Sequence, residues 1–466
     1  MDDIPESIAA RLREAERLKQ IQRDHPEQFQ RDLEAVAHKI PPYIGMQALP
    51  ADLPVGYIRL HPEDFIVEEV DATGTIHTIE PDAPDVQGDA SEDGQTVYCD
   101  LVKRGLGTQE AQELLAAHWN IGRDRILYAG MKDEVAITSQ EISIRKLPLN
   151  QVHGTQLSNI FLKNCRTGKG LQKIGRHEGN RFTIIVRTRE PLDEAVFEQR
   201  MHTIASEGFL NFYGQQRFGY SPHGIGDRYS GHLIGQRLCQ GKYDEAIQLF
   251  LCATNEAEIP LFRELRQQAR AIYGQWNNMA ELFGVFPETF HRELTILRAL
   301  AEDNGNALSA IKALDRLVFF WVHGYVSFVF NLKLSQLAQA GAALPETLPL
   351  VLSRAAEDQA PYREIIAEHG TEDMVRNVEP VYRVGDQRRQ VRTKIIPTIH
   401  HLANFDGGTI VQFTLPTGAY ATTFLQNAFT LLEDAPIPAW VQGEAIDSKA
   451  TLGEGSVASA SRRLSV

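Results

Sequence analysis

The sequence predicts an α+β fold, a mixed sheet flanked by helices, with a largely helical domain inserted into it. Three observations carry that reading. Short β-prone runs, "YIRL", "FIVEEV", "TVYCDLVK", "EISIRKL" and "RFTIIVR", crowd into residues 49–206 around a single helical stretch, "TQEAQELLAAHW". Residues 207–386 turn helical, as in "KYDEAIQLFLCA", "PLFRELRQQARAIYG" and "SAIKALDRLVFFWVHGYVSFVF". Strand-like "TIVQFTL" then returns within 387–440, so the helical block lies between two β-rich blocks, the pattern of an insertion.

Taken in order, residues 1–48 form a charged helical extension, with Ile8, Leu12, Ala15, Leu18 and Ile21 spaced by three and four and a second helical stretch after Pro26. Residues 49–206 are the first part of the sheet domain, and "EPDAPDVQGDASEDG" at 80–94 reads as an added acidic loop within it. Inside the insertion, "LVFFWVHGYVSFVFNL" at 317–332 falls short of the ~18 apolar residues a membrane span needs and carries His323 and Gly324, so a buried helix is expected. Residues 387–440 complete the sheet domain. The Ser-, Ala- and Gly-rich segment 441–466 reads as a disordered tail.

Composition points to a soluble globular protein, with 43% hydrophobic and 23% charged residues. No basic leader followed by an apolar stretch opens the chain, and Cys99, Cys165, Cys239 and Cys252 are scattered without CxxC spacing. A monomer in a reducing cytoplasm, with no membrane and no metal, is the expectation. The net charge of −14 speaks against a nucleic-acid partner only until its distribution is examined. Over 161–182, Lys163, Arg166, Lys169, Lys173, Arg176 and Arg181 face a single acid, Glu178; over 381–395, Arg383, Arg388, Arg389, Arg392 and Lys394 face Asp386. Two basic tracts on an acidic body fit RNA, and equally fit a solvated face.

Candidate chemistry centres on "YAGMKDEVAITSQEISI", residues 128–144, where Lys132, Asp133 and Glu134 interrupt two β-prone runs. For an isolated Asp after a strand, a turn or helix cap is the commoner role. Its company changes the balance. "AGMKDEVAITSQ" resembles the GxKDxxAxTxQ signature of the TruD family of pseudouridine synthases, with Gly130, Lys132, Asp133, Ala136, Thr138 and Gln140 in the family's places. "PEDFIVEE" at 62–69, "HEGNRFTI" at 177–184, "LNFYGQQRFG" at 210–219 and "FTLPTGAYATTFL" at 413–425 follow the family's order.

The resemblance implies a pseudouridine-synthase-like sheet, the 207–386 insertion, and a tRNA pseudouridine synthase, an isomerase needing no cofactor. Its substrate would be a specific tRNA uridine, by resemblance the one at position 13. Asp133 takes the place of the catalytic aspartate. A carboxylate can attack the sugar C1′, attack the base C6, or remove a ribose proton, and the residues leave these routes open. Each needs an ionised carboxylate, so burial beside an extruded base requires a nearby cation. Neighbouring residues of an extended chain point to opposite faces, which disfavours Lys132 and favours Arg59, where the family places a basic residue six positions before the motif's Phe. By resemblance Phe65, Asn180, Phe182 and Phe413 line the substrate pocket, Phe182 stacking on the flipped base and Asn180 offering its amide. Candidate RNA contacts are Lys132, Arg181, Arg217, Arg388 and Arg389. Two departures stand out: Glu134 where many relatives carry a basic residue, and "TTFLQNAF" where relatives commonly have a Glu after the Leu. Other readings are an RNA-binding or RNA-folding protein with little turnover, and a scaffold that binds protein partners through acidic surfaces.

Overall fold

The computed structural model describes residues 6–81, 96–173, 175, 177–219, 228–341, 343–385 and 388–465. Most of the acidic loop expected at 80–94, together with Arg176 and Asp386 of the basic tracts, lies outside the described residues. Among those described, the longest run of paired strands goes Thr398–Phe405, Gly408–Pro416, His177–Thr188, Phe65–Asp71, Ile137–Arg145, Thr96–Arg104, Ile160–Gly168 and Gln156–Leu157. The sheet is mixed, because Phe65–Asp71 runs parallel to Ile137–Arg145 and antiparallel to His177–Thr188. Gly408–Pro416 pairs with His177–Thr188, so the chain on either side of the helical block shares one sheet.

Alternation along the strands sorts the side chains into two layers. Phe65 and Val67 join Phe182, Ile184, Val411 and Phe413 under the helix Glu194–Glu207, which adds Phe197, Met201 and Ile204. Asp193 starts that helix by accepting from the Val196 N–H, satisfying one of its orphan donors. Ile66 points the other way, to Val102, Ile137 and Phe161.

Of the segment 441–466, expected to be disordered, the described residues, which run to 465, instead close this second face. Asp447 and Ser456 cap the helices Ser448–Leu452 and Val457–Leu464, and Val457, Ala460 and Leu464 pack on Ile66, Val102, Ile137 and Phe161. Lys449 is fully buried between Glu68, at 2.6 Å, and Glu80, at 2.8 Å. The Ser/Ala/Gly composition concealed three apolar residues at helical spacing and one lysine with two waiting carboxylates.

The insertion buries a core of its own around the helix Asp315–Gln339, from which Val318, Val322, Tyr325, Val326 and Val329 project. This helix has 25 residues and is longer than the apolar run at 317–332 suggested. Its Leu317–Gln339 portion is long and apolar enough to cross a membrane. In the fold it is the central packing helix: a Cβ at Gly235, on the neighbouring helix Gly231–Cys239, would lie 2.0 Å from the Trp321 carbonyl oxygen, so glycine is needed for that approach. The N-terminal segment is part of the same packing, since Leu18 and Phe29 enter the inserted core and Glu14 accepts from the Glu288 and Thr289 N–H groups.

Candidate active site

The interrupted stretch resolves into two strands, Ile126–Tyr128 and Ile137–Arg145, joined by a loop that carries Lys132, Asp133 and Glu134. The loop is held from several sides. Gln140 donates to the Gly130 carbonyl at 2.9 Å, the Lys132 N–H donates to Thr108 Oγ1 at 2.9 Å, and Lys103 Nζ donates to the Asp133 carbonyl at 2.7 Å. Lys103 is fully buried, and burial pushes its ammonium down to about 8 against the opposing pull of Asp133 and Glu134.

Within this frame the two neighbours diverge. Asp133 keeps 27% of its side chain exposed and accepts from Arg59 Nη2 at 2.7 Å, with Gln216 Nε2 3.5 Å from the same oxygen. Lys132 turns inward to Glu69 Oε2 at 2.7 Å and Asn180 Oδ1 at 2.8 Å. It was a candidate RNA contact, but burial in an ion pair puts its ammonium out of reach of phosphate. What it does is orient the Asn180 amide, taking the carbonyl side and turning the N–H side elsewhere.

Arg59 is locked on three sides. Its guanidinium lies over the Phe65 ring, 4.1 Å from the centroid, while Nη1 donates to Glu433 and Nη2 to Asp133. Its backbone is left-handed, φ +64°, which costs a non-glycine residue about 1–3 kcal/mol and persists where the surroundings over-determine it.

The aromatic candidates form one stack beneath this cluster. Phe182 lies 5.3 Å from Phe413 at an interplanar angle of 21°, and Phe65 meets Phe182 edge-on at 6.3 Å. Phe413 is 0% exposed and Phe65 1%, against 5% for Phe182, so Phe413 backs the stack and Phe65 floors Arg59 instead of lining an open pocket. The cause is register: Phe413 sits directly opposite Phe182 in the sheet and is covered by Phe424 at 4.3 Å.

Of the other candidate RNA contacts, Arg181 faces the C-terminal segment, paired with Glu68 at 2.6 Å and Glu454 at 3.5 Å, because it alternates with Asn180 and Phe182 along one strand. Arg388 is half exposed, with its guanidinium engaged by Asp358. Arg389 is exposed and pairs with no carboxylate among the described residues, and Arg217 lies over the Tyr213 ring at 5.4 Å. The "NFYGQQRFG" loop that presents Gln216 and Arg217 is tied to the insertion: the Tyr213 N–H donates to Asn331 Oδ1, and Asn331 Nδ2 donates back to the Tyr213 carbonyl.

Sequence reasoning missed Glu433, Lys103, Glu69 and Gln216. Lys103 left a trace, a charge set in a strand after Leu101 and Val102; Glu433 left none beyond following "TLL". Burial raises the Glu433 carboxyl and Asp133 adds to the rise, while Arg59 opposes it.

Residues 44–350 match the family model described as tRNA pseudouridine synthase D (TruD). A Syntrophotalea carbinolica protein named tRNA pseudouridine synthase D is 26% identical over 80% of this chain and 95% of its own length. A Picrophilus torridus protein named "Probable tRNA pseudouridine synthase D" is 30% identical, and the match spans 60% of each chain. A crystal structure of a Methanosarcina mazei protein described under the same name superposes with a TM-score of 0.62 at 21% identity, over 84% of this chain and 98% of that one. That likeness shows the shared fold, and the family match over 44–350 shows the lineage. This chain belongs to the TruD family of tRNA pseudouridine synthases.

Proposed function

We propose that this chain isomerises a specific uridine of tRNA, the one at position 13, to pseudouridine, with Asp133 as the reactive carboxylate. The observation that carries the reading is the Arg59–Asp133 pair: a carboxylate that stays partly open to solvent, on the residue next to the lysine that grips Asn180, while a buried guanidinium holds it at 2.7 Å. The cation favours the ionised form that each available route needs, whether attack at C1′, attack at C6 or removal of a ribose proton. The glycosidic N1–C1′ bond breaks, the uracil turns, a C5–C1′ bond forms, and the proton displaced from C5 is balanced by one gained at N1. Atoms are conserved, so the protein's task is to hold the detached base.

Reaching a stacked uridine requires flipping it out. Phe182 offers the least buried ring of the stack, and the Asn180 amide, oriented by Lys132, is placed to hydrogen-bond the base edge. Arg217 and Arg389 supply phosphate contacts on the side of the insertion. The protein works as a monomer in the cytoplasm, where its four buried free cysteines remain thiols.

The test is carbodiimide-dependent primer extension on total tRNA from cells with and without the gene. A stop at position 13 that vanishes with the gene is the expected result. Unchanged stops at every tRNA position overturn the enzymatic reading and leave RNA binding with little turnover in its place.

A further inference from the structure

Arg59 faces two carboxylates, and only one of them opens to solvent. Asp133 is 27% exposed; Glu433 is 7% exposed, and Arg59 itself 5%. Glu433 comes from the far end of the sheet domain, directly after the strand Thr430–Leu432. That strand runs parallel to Val55–Tyr57 with Tyr57 beside Leu432, and the Ile58 N–H donates to the Leu432 carbonyl at 3.0 Å. Glu433 and Arg59 therefore leave the sheet side by side, and the pairing of the strands delivers one to the other.

The Arg59 backbone is left-handed and its guanidinium carbon lies 4.1 Å from the centroid of the Phe65 ring. Contact with the ring alone would leave the guanidinium free to turn, and that turning would decide which nitrogen meets Asp133. Glu433 on Nη1 removes that freedom and leaves Nη2 for Asp133.

We propose that Glu433 is a positioning residue for the reaction: it sets the orientation of Arg59 against Asp133 and offsets part of the positive field that Arg59 exerts there. The assignment rests on the reading of Asp133 as the reactive carboxylate. An arginine paired with Asp133 alone would secure ionisation but draw electron density from the carboxylate, leaving a weaker base and nucleophile. A second carboxylate on the same guanidinium restores reactivity while keeping the geometry.

The charges around the cluster are few. Asp133 is faced by Arg59, by Glu433 through Arg59, by Lys103 on its main-chain oxygen, and by its neighbours Lys132 and Glu134. Glu433 is faced by Arg59 and Asp133, with the Tyr57 hydroxyl and Asp434 nearby. Burial raises the Glu433 carboxyl above its unfolded value, so its ionisation at neutral pH opposes folding and the amide should be tolerated.

The experiment compares wild type, Glu433→Gln and Glu433→Asp, measuring kcat and KM on a tRNA transcript across pH together with the melting temperature. For Glu433→Gln the expected result is KM within about two-fold, kcat lower by roughly ten-fold, and an acid limb of the activity profile moved to lower pH, because removing the Glu433 charge leaves the Arg59 cation uncompensated. Glu433→Asp keeps the charge, so it should return the acid limb toward wild type even where kcat recovers only in part. A Glu433→Gln enzyme with wild-type kcat and an unmoved limb overturns the assignment. So does one whose kcat and melting temperature fall together with the limb unmoved, which is a purely structural role. A wild-type protein that makes no pseudouridine overturns the functional reading and this assignment with it, whereas an active wild type beside an unaffected variant overturns this assignment alone.

Discussion

Two regions of this molecule bury arginine between carboxylates, and they differ in charge balance and in exposure. In the inserted domain Arg266 donates to Glu258 at 2.7 Å and to Glu293 at 2.9 Å, with Arg228 completing a quartet at 3.9 and 3.7 Å. The four side chains are at most 10% exposed, two charges answer two, and the Phe283 and Phe290 rings flank Arg266. In the sheet domain Arg59 bridges Glu433 and Asp133, one positive charge between two negative in the ion pairs among the described residues, and Asp133 is 27% exposed. A closed, balanced cluster can only hold the fold together. An open one with an excess carboxylate keeps an acceptor available, which is what the role proposed for Asp133 requires.

The comparison breaks first at Asp133. Asp133→Asn preserves size and much of the hydrogen-bonding capacity while removing the charge and nucleophilicity. Pseudouridine should fall below detection by mass spectrometry, even in single turnover with enzyme in excess, while tRNA affinity stays within a few-fold of wild type. Full activity in this variant would show that the open carboxylate is a turn former after all.

The opposite response is expected from the quartet. Arg266→Leu leaves Glu258 and Glu293 with only the more distant Arg228, and breaking one partner of a buried pair costs about 3–5 kcal/mol. Denaturant midpoints should drop accordingly, and turnover of the folded fraction should match wild type. A loss of turnover at unchanged stability would erase the distinction between the two clusters.

What the sequence disclosed follows the range of the physics involved. The loop carrying Asp133 was legible because five other fixed positions of the signature accompany that residue within a short stretch of chain. The divergence of Lys132 from Asp133 was legible in direction, but Glu69 and Asn180, which receive its ammonium, were not. Partners distant in the chain leave no local mark: Glu433 lies 374 residues from Arg59, and Lys449 lies 381 from Glu68. For the same reason the C-terminal helices were missed. Their own composition is that of a loose tail, and their order comes from a sheet face and a carboxylate supplied by the beginning of the sheet domain.

Phe182 sharpens the comparison at intermediate size, because it belongs to the hydrophobic core and to the cleft at once. Base stacking on an aromatic ring is worth roughly 1–3 kcal/mol, and leucine keeps most of the buried volume at a stability cost usually below about 1.5 kcal/mol. Phe182→Leu should therefore lower kcat/KM by roughly ten- to a hundred-fold at a few degrees' loss in melting temperature. Wild-type kcat/KM in this variant would assign the ring to the core with Phe413 and place the base elsewhere.

The smallest effect lies at the surface, where Arg388 and Arg389 are adjacent in sequence and differ in engagement. Arg389 pairs with no carboxylate among the described residues, whereas Arg388 is clasped by Asp358. Each phosphate neutralised by a cation contributes about 0.7–0.9 to the slope of log affinity against log salt. Arg389→Gln should flatten the tRNA-binding slope by about that amount without altering the fold. Arg388→Gln should leave the slope near wild type and act on stability, since its hydrogen bonds, with help from Ser353, hold Asp358 below the usual carboxylate range. A lowered carboxylate stabilises the fold fully above its unfolded value, near pH 4, and loses that contribution as pH falls through the folded value. Arg388→Gln should thus be less stable than wild type at neutral pH, with the difference shrinking on acidification. Equal flattening of the salt slope by the two variants would show that Asp358 releases Arg388 to the RNA, and the engaged arginine would then have to be counted with the open one.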